Sequence, residues 1–148
     1  MKEAILIMDV RLFLNFDGYT EQAFGLYEKV FGTKIKSIFK IKDSPMKEDY
    51  SPQEQEMVLW AEMEIGNFVI YGEDSGCFNT VGELTQPQRG SYPRQFISLG
   101  LGSREEVDRV FSSLAEGGIV VRPLGKVFFC EYYGRIVDRF GVAWELMI

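Results

Sequence analysis

At 148 residues, 46% apolar and 14% aromatic, the chain is long enough to bury a core and short enough to be one domain or two fused half-domains. A formal net charge of −6 and a pI near 4.8 leave no basic stripe to neutralise phosphates, which argues against a nucleic-acid partner. No apolar run approaches a bilayer span, residues 4–8 are too short for a secretory core, and two cysteines, Cys77 and Cys130, make neither a disulfide framework nor a metal knuckle. The expectation is a cytoplasmic protein without a membrane partner.

In chain order, residues 10–16 read as a strand that Asp17-Gly18 turns toward a helix. Thr20 is the expected N-cap, with Glu21 on the favourable side of the helix dipole. Ala23, Phe24, Tyr27, Val30 and Phe31 then fall on one helical face before Gly32 stops the run. Residues 34–40 form a second strand by alternation. Residues 57–64 and 68–73 predict a hairpin closed at Gly66-Asn67, a dipeptide that supplies the positive φ of a tight turn. A strand follows at 95–101, and Ser103 with Glu106 makes a capping box for a helix whose buried stripe is Val107, Val110, Phe111 and Leu114. Gly117-Gly118 ends it. Residues 119–122, 132–137 and 142–147 read as three further strands. Two irregular stretches, 42–56 and 75–94, are rich in Pro, Gly, Ser and charged residues, and loops of that length commonly act as lids or connections.

The same order, βαβββ, therefore occurs twice, in modules at about 1–90 and 91–148. Each is too small to bury its own apolar face, so the two are expected to pack side by side as one α+β domain with a cleft between them.

The residues that carry these elements resemble a known family. Leu14-Asn15-Phe16-Asp17-Gly18, Ala23-Phe24 and Tyr27-Glu28-Lys29-Val30-Phe31-Gly32 are similar to the opening signature of the PhnB-like branch of the vicinal oxygen chelate superfamily, the glyoxalase and bleomycin-resistance group. Tyr133-Gly134, Asp138-Arg139-Phe140-Gly141-Val142 and Trp144-Glu145 resemble its closing segment. The resemblance implies paired βαβββ modules forming a curved mixed sheet around a cleft, usually in a homodimer. It implies no single activity, because the superfamily spans isomerases, dioxygenases, thiol transferases and metal-free binding proteins.

The departure from that pattern is the absence of histidine. Where the branch often carries His-Ala-Glu, this chain has Trp60-Ala61-Glu62, and an indole nitrogen cannot ligate a metal. The donors left by the resemblance are Gln95, Glu145 and Glu62, an oxygen set that suits Mg or Mn rather than Fe or Zn. Each has a plainer reading. Glu145 faces solvent or pairs with Arg135 or Arg139, Glu62 shares an exposed strand face with Glu64, and Gln95 simply opens a strand. The aromatic residues Phe13, Trp60, Tyr71, Phe129, Tyr132 and Tyr133 are candidates to line a cleft that takes a flat or amphipathic small molecule, the competing roles being core and dimer interface. Two functions follow: a metal-free small-molecule-binding homodimer needing no cofactor, or a divergent metal-dependent lyase or isomerase in which Glu145, Gln95 and Glu62 hold a divalent ion. Gly100-Leu101-Gly102 lacks the third glycine of a nucleotide loop, and Glu105 and Glu106 stand where a phosphate would sit.

Overall fold

The computed structural model describes residues 8–74, 93 and 95–148. Its elements run β1 (Leu12–Asn15), α1 (Thr20–Phe31), β2 (Ile35–Lys40), β3 (Val58–Ile65), β4 (Phe68–Glu73), β5 (Ile97–Gly100), α2 (Arg104–Ala115), β6 (Ile119–Val127), β7 (Cys130–Val137) and β8 (Ala143–Met147). Three short 3₁₀ turns, Ile41–Asp43, Lys47–Asp49 and Glu54–Glu56, occupy the first of the irregular stretches. The second, residues 75–94, lies outside the described residues apart from Pro93, as does Cys77.

Each module builds its own four-stranded sheet, ordered β1-β4-β3-β2 and β5-β8-β7-β6. In both, the opening strand returns parallel to the closing one and the remaining pairs are antiparallel. Helix α1 covers one face of the first sheet with Ala23, Phe24, Tyr27 and Val30 buried. Helix α2 covers the second with Val107, Val110, Phe111 and Leu114. Glycine lets each helix sit low: a Cβ on Gly72 of β4 would lie 2.8 Å from the Phe24 ring, and one on Gly134 of β7 would lie 2.8 Å from that of Phe111.

Local signals held with adjustments. Gly32 is left-handed at φ 63° and ends α1 as expected. Ser103 Oγ accepts the Glu106 N–H at 3.2 Å and caps α2. Thr20, however, is not the cap of α1. The helix begins at Thr20 after Tyr19, which makes no side-chain cap bond. The orphan donors there go to Asp74, whose Oδ1 accepts the N–H groups of Gly18 and Thr20 and the Thr20 hydroxyl, while Oδ2 accepts the Val58 N–H. A carboxylate from the end of β4 complements both the donors and the dipole better than the local hydroxyl. Strand β6 runs past the expected 119–122 and through Pro123, which is tolerated because β6 is an edge strand.

One apolar core spans both modules, including Phe16, Phe24, Tyr27, Phe111, Ile136 and Trp144. The Trp144 ring packs 5.4 Å from those of Tyr27 and Phe31. Polar groups join the modules on the same side. The Tyr27 hydroxyl donates to Asp138 Oδ2 at 2.6 Å, and Arg109 Nη1 donates to the Val30 carbonyl at 2.8 Å. Asp138 is 3% exposed and fully used: Trp144 Nε1 shares Oδ2, and the N–H groups of Phe140 and Val142 bind Oδ1. Helices α1 and α2 touch, and each leaves the opposite face of its own sheet uncovered.

Candidate functional site

Strand alternation decides what the uncovered faces present. Along β3, Val58, Leu59, Ala61, Met63 and Ile65 are buried while Trp60, Glu62 and Glu64 point outward or lie half-buried. Cross-strand register then places Phe39 beside Trp60 and Ser37 beside Glu62, with Tyr71 on the other side of Glu62 and Phe13 beyond it. Rings on neighbouring strands stack: Phe39 on Trp60 at 4.4 Å and 20°, Phe13 on Tyr71 at 4.9 Å and 23°. Trp60 is 43% exposed and Phe13 46%, so the rings offer area to a ligand. Glu62 is held by Lys36 Nζ at 3.3 Å and by the Ser37 hydroxyl.

The uncovered face of the second sheet is more polar. Tyr133 donates its hydroxyl to Glu145 Oε2 in a short hydrogen bond. Arg135 Nε donates to the Tyr133 oxygen at 2.7 Å and to Glu145 Oε2 at 3.2 Å, and its guanidinium lies 4.4 Å over the Phe96 ring. Burial pushes the Glu145 carboxyl up, but hydrogen bonds from Tyr133 and Ser98 and the charge of Arg135 outweigh it and hold the group below its usual value. Burial, followed by the bond to Glu145, pushes the Tyr133 hydroxyl up. Phe129, at the β6–β7 hairpin tip, stands edge-on to Tyr133 at 5.1 Å.

The sequence-derived candidates are thus distributed over two sheets. Phe13, Trp60 and Tyr71 share the first uncovered face, and Phe129 and Tyr133 the second. Tyr132 belongs to neither: adjacent strand residues point to opposite faces, and its ring lies under Arg104 of α2 at 4.5 Å with its hydroxyl bonded to Asp108. The expected oxygen donors are not brought together. Glu62 pairs with Lys36 on one sheet, Glu145 pairs with Arg135 on the other, and Gln95 is exposed before β5. Among the described residues no three His, Cys, Asp or Glu side chains converge. Sequence reading missed Phe39 and Phe96. Phe39 follows from carrying the β3 alternation across to β2, which a register shift next to it obscures.

Comparison with known proteins identifies the architecture. A family described as 3-demethylubiquinone-9 3-methyltransferase matches residues 8–147. The chain belongs to this PhnB-like family. Protein PA1353 from Pseudomonas aeruginosa is 28% identical, with a TM-score of 0.75 over 95% of this chain and 97% of that one. A PhnB protein from Bacillus cereus, carrying the same methyltransferase description, is 25% identical, with a TM-score of 0.73 over 95% and 98%. A glyoxalase family protein from Bacillus cereus, 11% identical, shares the fold at a TM-score of 0.64 over 99% and 96%. No curated protein matches. This PhnB-like chain accordingly has the vicinal oxygen chelate fold. Among its described residues there is no doubly wound parallel sheet of the kind that binds nucleosides, and no helix is long and apolar enough to cross a membrane.

Proposed function

We propose that this PhnB-like protein binds a flat, amphipathic small molecule on the uncovered faces of its sheets, without a metal and as a homodimer, in a sequestering or sensing role. The observation that supports the reading is the pair of ring stacks, Phe39–Trp60 and Phe13–Tyr71, on a face that no helix covers. Monomeric proteins seldom leave such apolar area open without a use for it. A planar ligand gains stacking and apolar burial from these rings, and Ser98 and the Tyr133–Arg135–Glu145 group supply polar handles on the neighbouring sheet. A second copy set over the open faces would exclude water from the ligand. The exposed edge residues Ile119 and Val120 and the hairpin residues Phe128 and Phe129 provide apolar surface for that contact.

The test is a screen of planar aromatic compounds read by tryptophan emission. The two tryptophans are Trp60 and Trp144, and Trp144 is fully buried, so quenching reports Trp60. Saturable quenching that disappears in Trp60→Phe, together with a dimer mass in equilibrium sedimentation, supports the reading. A monomer in which no planar compound perturbs Trp60 sinks it. Stoichiometric binding of Mn or Mg to chelator-stripped protein, lost in Glu145→Ala, would favour the lyase or isomerase instead.

A further inference from the structure

Resting on that reading, we infer that the ligand is an organic cation, seated at a block of four side chains on the uncovered face of the first sheet. The block follows from register. Glu62 is opposite Tyr71, and strand alternation puts Trp60 on the same face of β3 as Glu62 and Glu73 on the same face of β4 as Tyr71. Trp60 and Glu62 of β3 and Tyr71 and Glu73 of β4 therefore share one face of the sheet. Diagonal neighbours on a sheet are within reach of large side chains. Phe39 backs Trp60 and Phe13 backs Tyr71, each in a stack of 5 Å or less, which fixes the two inner rings.

Charge on this face is unbalanced in one direction. Among the described residues Glu62 and Glu64 share one ion-pair partner, Lys36, which lies 3.3 Å from Glu62 and 3.7 Å from Glu64. Among the described residues the Glu73 carboxylate has neither an ion pair nor a hydrogen bond, although it shares a sheet face with Tyr71. The negative faces of aromatic rings attract cations, and nearby carboxylates add to that field.

A second, independent observation shows the ring face holding a cation already. The Arg11 guanidinium carbon stands 5.9 Å over the centroid of Tyr71. Arg11 immediately precedes β1 and lies outside it, and its partner is Asp9, two positions back. The chain's own arm thus occupies part of the seat, and a ligand cation replaces it.

The experiment compares three flat molecules of one size by calorimetry, with Trp60 emission as the local reporter: N-methylquinolinium, uncharged 4-methylquinoline, and anionic quinoline-2-carboxylate, at a pH where the second is neutral. The cation is expected to bind tightest, by about 2- to 30-fold over the neutral ring, with a margin that narrows as salt is added. Glu73→Gln, an exposed-face change that leaves the fold intact, should reduce the margin. Arg11→Ala should raise affinity for the cation and leave the neutral compound unchanged. Equal or tighter binding of the neutral or anionic compound overturns the charge assignment while leaving aromatic binding standing. An unchanged or weakened cation affinity in Arg11→Ala overturns the seat at Tyr71. If none of the three binds, both this inference and the reading it rests on fall.

Discussion

Replacing Asp138 by Asn removes no volume and leaves the fold's shape alone, yet it should be among the more costly single changes in the chain. The carboxylate serves four donors, two on each oxygen. An amide has one accepting oxygen, so one side must present NH₂. The less damaging choice points NH₂ at the Tyr27 hydroxyl, which can turn to accept, but Trp144 Nε1–H then meets a donor inside the core. An orphaned buried donor costs about 1–3 kcal/mol, and the remaining bonds lose the strength that the negative charge gave them. The sum is about 2–4 kcal/mol, or a fall in Tm of roughly 4–16 °C for a domain of this size. Tyr27→Phe removes one donor and leaves Asp138 with three, so it should cost about 1–2 kcal/mol. Urea unfolding of the two single variants and the double variant, followed by far-ultraviolet circular dichroism at neutral pH, measures each cost and their coupling. An Asp138→Asn cost below about 0.5 kcal/mol, or one smaller than that of Tyr27→Phe, would refute the claim that this carboxylate clasps the modules together.

Alkaline stability should carry a signature of Tyr27. Burial, then the charge and hydrogen bond of Asp138, raise its hydroxyl far above the ordinary 10.0. Its contribution is complete below that ordinary value and is lost as pH rises beyond it, because only the unfolded chain then releases the proton; Tyr27→Phe should flatten the alkaline limb of a stability–pH curve. Glu145 has the opposite sign. Its folded value lies below the ordinary 4.5, so its contribution is present above that value and fades as pH falls through the folded one, and Glu145→Gln should flatten the acid limb in the same measurement. Gly72→Ala forces a methyl against the Phe24 ring and should cost about 1–3 kcal/mol by thermal melting. Phe128→Ser, at a side chain 98% exposed, should leave the melting temperature of the isolated chain within error and shift equilibrium sedimentation toward monomer.

Much of this architecture was legible because its determinants are local. Strand β4 follows residue for residue from its alternation and the Gly66-Asn67 turn, and both helices follow from their apolar stripes and glycine stops. What failed was set by residues distant in sequence. The cap of α1 is Asp74, more than fifty positions after Thr20, and no local motif announces it. Aromatic type alone does not select a face: a pleated strand sends neighbours to opposite sides, so Tyr132 and Tyr133 cannot both face one ligand. Phe39 joined Trp60 only once the β2–β3 register was known, and Phe96 emerged only under Arg135. The oxygen donors depended most on the third dimension. Glu145 and Glu62 sit on different sheets, each with its own cation, an arrangement that spacing along the chain cannot express.

Two polar links between the modules lie on the helical side: Tyr27 to Asp138 and Arg109 to the Val30 carbonyl. Among the described residues, the rings and glutamates of the uncovered faces make neither of these links. Those outward positions are therefore free to drift under selection for new ligands while the duplicated scaffold beneath them stays folded. A gene built this way can change what it recognises by a handful of codons on β1, β3, β4 and β7, without first having to solve its folding problem again.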